Sequence, residues 1–159
     1  MRIALAQIDT TVADIPGNLG RIRDFAARAQ SAGAQMTVFP EQCLGGYPAL
    51  DLWEDRDFLR ANREALRSLA RDAGEMALVV GFTAPNPRSR GKPIMNAAAL
   101  LHQGKVRAVR AKTLLPTYDV FDERRYFEPA AANTPVRFQG VRLGLTICED
   151  AWYRAPGAP

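Results

Sequence analysis

Three polar residues of unlike chemistry each follow an apolar run that reads as a strand. Glu41 follows Val38-Phe39-Pro40, Lys112 follows Val109-Arg110-Ala111, and Cys148 follows Leu143-Gly144-Leu145-Thr146-Ile147. In α/β sheets catalytic side chains collect at the carboxyl ends of strands, so a carboxylate, an ammonium and a thiol are expected to converge. A cysteine attacks only as thiolate and needs a base or a positive neighbour. Glu41 would take its proton and return one to a leaving amine. Lys112 would stabilise the thiolate and the oxyanion of a tetrahedral intermediate. The covalent route splits amide cleavage into acyl-enzyme formation and hydrolysis. If the chain turns sharply after Cys148, the Glu149 backbone N–H becomes a second oxyanion donor. Such surroundings are expected to lower the Cys148 thiol pKa. Taken singly the signals are weak: a cysteine ending an apolar strand is more often a small buried hydrophobe, and a lone Glu or Lys there is usually solvated. Cys43 has no distinctive neighbours and is read as structural.

The elements that must position these groups follow from hydrophobic period and turn residues. Arg2 to Ile8 reads as a buried strand. Gly17-Asn18 opens a helix with Asn18 as N-cap, Leu19, Ile22, Phe25, Ala26 and Ala29 on one face, and Gly33 at its end. Met36 to Phe39 is a short strand, Asp57 to Ala73 a second helix, and Ala77 to Phe82 a third strand. Pro85 to Pro93 is a loop. Asn96 to Leu101 and Lys105 to Ala111 form a hairpin around Gln103-Gly104, and Val136 to Phe138 with Val141 to Ile147 a second one around Gln139-Gly140. Thr113 to Ala132 reads as a long ordered loop with a helical turn. The order β-α-β-α-β followed by two hairpins predicts a layered α/β fold with mixed strand directions. Its helices would cover one sheet face and leave the other apolar and in need of a partner. Arg154 to Pro159, rich in Pro and Gly, reads as an unstructured tail.

Composition narrows the function classes. The chain has 159 residues, 47% of them apolar and 24% charged, an ordinary globular balance. The net charge of +4 is mild, and basic residues alternate with acids, as in Asp122-Glu123-Arg124-Arg125, which argues against a nucleic-acid surface. No apolar run is long enough to span a membrane, and the start does not read as a signal peptide. Two cysteines without a Cys-x-x-Cys pair point to a reducing cytoplasm rather than a disulfide framework. His102 is the only histidine. That removes most imidazole-based metal sites and weakens any Cys-His pair. Beside Gln103-Gly104 it reads as an exposed residue at a hairpin tip.

Phe39-Pro40-Glu41, Lys112-Thr113-Leu114-Leu115-Pro116 and Ile147-Cys148-Glu149-Asp150 resemble, in order, the three catalytic segments of the nitrilase (carbon–nitrogen hydrolase) superfamily. Arg2-Ile3-Ala4-Leu5-Ala6-Gln7 is similar to its first strand. The resemblance implies an αββα sandwich with no metal and no organic cofactor. It implies Glu41 as general base, Lys112 as stabiliser of the intermediate and Cys148 as nucleophile. A second glutamate often assists in this superfamily; Glu123 is the candidate, with Glu128 as the alternative.

Leu115-Pro116-Thr117-Tyr118-Asp119-Val120-Phe121-Asp122-Glu123-Arg124-Arg125-Tyr126-Phe127-Glu128-Pro129 is more specific. It resembles the glutaminase domain of glutamine-dependent NAD⁺ synthases, as do Gly45-Gly46-Tyr47-Pro48-Ala49-Leu50-Asp51-Leu52 and Ile147-Cys148-Glu149-Asp150-Ala151-Trp152. That family hydrolyses glutamine and passes ammonia through a tunnel to an ATP-using synthetase domain. The resemblance implies glutamine as the small-molecule substrate, with Tyr47, Tyr118, Phe121, Glu123 and Glu149 around it: aromatic walls for its methylene stem and a carboxylate for its ammonium. The sequence departs from that family's pattern at Ala49-Leu50 and at Ala130, both read as loop positions. The expected organisation is the first part of such a domain over 1–153, incomplete at its C-terminus, then a tail over 154–159. No synthetase domain and no Gly-rich phosphate loop occur in the sequence, so ATP and Mg are not expected here. The completed protein is expected to form a homo-oligomer, and the chain alone to lack turnover. A free-standing small-amide amidase or nitrilase and a non-catalytic fragment are the alternatives.

Overall fold

The computed structural model describes residues 1–152; the tail expected over 154–159 lies outside them. Strands β1 (Ile3–Leu5), β2 (Met36–Val38), β3 (Ala77–Pro85), β4 (Ile94–His102) and β5 (Lys105–Ala111) form one sheet in chain order. β1, β2 and β3 run parallel; β4 and β5 continue antiparallel. Helices α1 (Ile15–Ser31) and α2 (Arg56–Asp72) are the connections between the parallel strands, as a same-direction return requires. A short helix α3 (Glu123–Tyr126) and a two-stranded ladder, β6 (Val136–Phe138) with β7 (Val141–Leu143), complete the described elements.

β3 and β4 are apolar along nearly their whole length because both of their faces are covered. Leu78, Val80, Phe82, Ala97, Ala99 and Leu101 join the helix-side core. Val79, Ala98 and Leu100 point the other way, onto Val136, Phe138 and Ile147. The face expected to lack cover is therefore partly covered by β6–β7. The result is helices, sheet and a second β layer, three layers of the expected sandwich.

Several expectations are corrected. α1 starts earlier, because Asp14 rather than Asn18 is the N-cap, its carboxylate accepting from the Gly17 N–H at 3.0 Å. Asn18 is instead buried in the helix, where its amide donates to the Thr11 and Leu44 carbonyls. The first strand spans only Ile3–Leu5 at the sheet edge, and Leu5 is 76% exposed. His102 is buried, its ring edge-on to Phe138 with centroids 4.9 Å apart, because the second hairpin lies over the end of β4. Both Gln-Gly turns hold: Gln103 and Gly104, like Gln139 and Gly140, have positive φ, as tight hairpin turns need. The second hairpin is shorter than expected. Its ladder ends at the Val136–Leu143 pair, where the next residue of β6 would be Pro135, which has no N–H to donate.

Candidate active site

Glu41 leaves the sheet just after β2, in a turn pressed onto β3. The Phe39 N–H still donates to the Val79 carbonyl at 2.9 Å. The next residue, Gln42, takes positive φ and is fully buried. Only glycine fits beneath this turn: a Cβ at Gly81 would lie 2.4 Å from the Gln42 nitrogen and 2.4 Å from the Pro40 oxygen. Both are backbone atoms, so the turn itself would have to move. Gly81→Ala is expected to cost about 1–3 kcal/mol and to reduce turnover by displacing Glu41. Thermal unfolding and steady-state kinetics check it, and a variant with wild-type kcat would show that the turn yields freely.

Lys112 follows β5 as expected, but it is not a surface lysine. Its side chain is 0% exposed, and its ammonium lies 2.8 Å from a Glu41 oxygen and 2.8 Å from a Glu123 oxygen. The backbone is tied on both sides, its N–H donating to the Asn96 carbonyl and its own carbonyl accepting from the Ala130 N–H. Glu123, at the start of α3, is 1% exposed and sits behind the lysine rather than along an open wall. Glu128 turns away, pairing with Arg88 and accepting from the Lys92 N–H. Of these two glutamates, Glu123 is the one that the structure brings to Lys112.

Cys148 follows an extended, unpaired run over Gly144–Ile147 rather than the end of a strand. It takes positive φ and opens a single 3-10 turn, Cys148–Ala151. This backbone conformation is costly for a side chain with a Cβ and is found preferentially at functional sites. Asp150 locks the turn to the lysine loop. Its Oδ1 accepts from the Thr113 N–H, the Thr113 hydroxyl and the Leu114 N–H, and its Oδ2 from the Ile147 N–H. Cys148 and Glu41 both line an open groove of about 390 Å³, bounded by Gly144–Ile147 and by Val38, Val79 and Ala98 of the sheet.

The electrostatics correct one expectation. The Cys148 thiol is held above its ordinary value of 9.0, not below it. Partial burial is the largest cause, the Glu41 charge adds to it, and Lys112 opposes it. One ammonium between two carboxylates leaves the neighbourhood negative, which disfavours a thiolate. Burial pulls the Lys112 ammonium down, but its hydrogen bonds to Glu123 and Glu41 and their charges outweigh that, so the net direction is up. Burial raises the Glu123 carboxyl, with Lys112 opposing. Cys43 is a different case: fully buried, with its thiol pushed up to about 12 by desolvation. Its structural reading stands.

The aromatic residues form a row beside this cluster. Tyr118 meets Phe121 at 5.7 Å between ring centroids, and Phe121 meets Tyr47 at 6.4 Å. The Tyr118 hydroxyl donates to Glu149 at 2.7 Å, and the Tyr47 hydroxyl donates to Glu123 at 2.9 Å. Sequence reasoning missed Asn96, Gln42 and Thr83, a buried polar chain that ends on Glu41. The signal was present: Thr83 and Asn96 interrupt otherwise apolar runs that are buried on both faces.

Fold and cluster together are those of a hydrolase of carbon–nitrogen bonds. The chain belongs to the carbon–nitrogen hydrolase family, which it matches over residues 2–155. It is similar to a glutamine-dependent NAD(+) synthetase from Xanthomonas campestris, 39% identical over 98% of this chain and 28% of that protein. Its structure is similar to a glutamine-dependent NAD+ synthetase from Acinetobacter baumannii, with a TM-score of 0.86, 31% identity, and coverage of 94% of this chain and 28% of that one. It is also similar to an amidase from Nesterenkonia sp. AN1, seen as a mutant with acrylamide added at its active-site cysteine. That match has a TM-score of 0.78 and 33% identity, over 96% of this chain and 59% of the amidase. The chain thus spans about 28% of the length of the first curated relatives. Among the described residues no helix is long and apolar enough to cross a membrane.

Proposed function

We propose that this chain supplies the amide-cleaving residues of a glutamine-dependent NAD⁺ synthetase, releasing ammonia from glutamine through a thioester on Cys148. The observation that carries the reading is the Lys112 ammonium held 2.8 Å from both Glu41 and Glu123, beside a cysteine at a strained turn. The raised thiol calls for a base at the moment of attack, and Glu41 fills that role. It takes the thiol proton as the sulfur adds to the amide carbon. The oxyanion is met by Lys112 and by the Glu149 N–H, in the turn that begins at Cys148. Collapse breaks the carbon–nitrogen bond, and the proton on Glu41 leaves with the nitrogen as ammonia. Water, deprotonated by the same carboxylate, then cleaves the thioester to release glutamate and restore the thiol. Glu123 holds Lys112 in place and keeps it charged.

The row Tyr118, Phe121 and Tyr47 suits the methylene stem of glutamine, and Glu149 suits its α-ammonium. This chemistry needs neither metal nor organic cofactor in this unit, and a free nucleophilic thiol suits a reducing cytoplasm. The test uses the intact protein. Glutamate release from glutamine is expected, with Cys148→Ala abolishing it. Iodoacetamide is expected to label Cys148 and spare buried Cys43, as read by peptide mass mapping. Turnover of other small amides but not of glutamine would point to a free-standing amidase instead. Inactivation that tracks labelling of Cys43 would overturn the assignment of the nucleophile.

A further inference from the structure

We infer that Asn96 is a positioning residue that selects which oxygen of Glu41 acts as the base. Asn96 lies in the middle of the sheet and is 1% exposed. Its amide nitrogen donates to Glu41 Oε1 at 2.6 Å and, more weakly, to Glu123 Oε2 at 3.5 Å. Lys112 donates to the same Glu41 oxygen, Oε1, at 2.8 Å. Two donors thus occupy Oε1, and among the described residues no hydrogen bond ends on Oε2. That oxygen is left to take the thiol proton.

The direction of the Asn96 amide is itself imposed. Gln42 Nε2 donates to the Phe82 backbone carbonyl at 3.1 Å, and a carbonyl can only accept, so the nitrogen end of Gln42 is determined. The same nitrogen donates to Asn96 Oδ1 at 2.8 Å, which leaves Asn96 Nδ2 turned to the carboxylates. The Thr83 hydroxyl donates to Gln42 Oε1 at 2.9 Å and closes the other end. A chain of buried, fully oriented groups therefore runs from the β3 backbone to the base. Groups held this way keep a carboxylate within the small tolerance that proton transfer requires. Without Asn96, Glu41 could rotate and present either oxygen to Lys112.

This inference rests on the proposed role of Glu41, and the test separates the two. In the intact protein with glutamine, Asn96→Ala is expected to lower kcat about 10- to 100-fold while KM stays within about twofold, the pattern of an interaction that matters in the transition state. Asn96→Asp keeps the shape but donates only when its carboxyl is protonated. Its kcat relative to wild type is therefore expected to fall as pH rises, which a purely structural role would not produce. Asn96→Asp also covers the case in which Asn96→Ala does not fold. An Asn96→Asp ratio that is flat with pH and near one would overturn the inference. Glu41→Gln serves as the control: if it is active, the role of Glu41 fails, and if it is inactive while both Asn96 variants match wild type, only the role of Asn96 fails. Should wild type release no glutamate, the substrate proposal fails, and the same variants compared on other small amides test Asn96 alone.

Discussion

Glu41→Gln is expected to move turnover and thiol reactivity in opposite directions. A general base in the transition state contributes about 10²–10⁴ in rate, so kcat should fall by that order. The thiol midpoint, in contrast, should drop. Glu41 raises the Cys148 thiol through its charge, while Lys112 lowers it. The neutral amide removes the first effect and leaves the second. Alkylation of Cys148 by iodoacetamide near neutral pH should then be faster than in wild type, even as glutamate release is nearly lost. The rate of labelling against pH, read beside kcat, checks this. A midpoint that rises would mean that Glu41 does not face the thiol with its charge, and an unchanged kcat would remove it as the base.

Replacing Lys112 should do the reverse to the thiol and more to the fold. Lys112→Met keeps most of the volume and removes the charge. Two carboxylates are then left without their shared ammonium in a site where Glu123 is 1% exposed. Removing one partner of a buried ion pair typically costs about 3–5 kcal/mol, so a large loss in denaturation midpoint is expected. One oxyanion donor is typically worth about 10²–10³ in kcat, with KM much less affected. The Cys148 thiol should titrate at still higher pH, since the one neighbour that lowers it is gone. Opposite shifts in the Glu41 and Lys112 variants are a signature that general destabilisation cannot mimic. If KM rises with kcat unchanged, Lys112 is a binding residue only.

The sequence by itself determined what local chemistry and local geometry can determine. Glu41, Lys112 and Cys148 were singled out because each ends an apolar run and lies in a short segment that resembles, in order, a catalytic segment of one family. The two Gln-Gly turns were legible because a tight hairpin turn is specified by a few adjacent residues, and the α-helices because the 3.6-residue period is local. Tertiary structure decided the rest. Lys112 and Glu41 are 71 positions apart and Asn96 and Glu41 are 55 apart, so neither pairing leaves a mark in a short window. The sign of the Cys148 shift depends first on burial and then on the charges of Glu41, Glu123 and Lys112, and only assembly brings these about. That Glu123 rather than Glu128 meets Lys112 depends on how the chain folds over 113–128, which no short window shows. The burial of His102 depends on a second hairpin lying across β4. Electrostatics and burial act through space, whereas propensity acts along the chain, and that difference separates what could be read from what had to be seen.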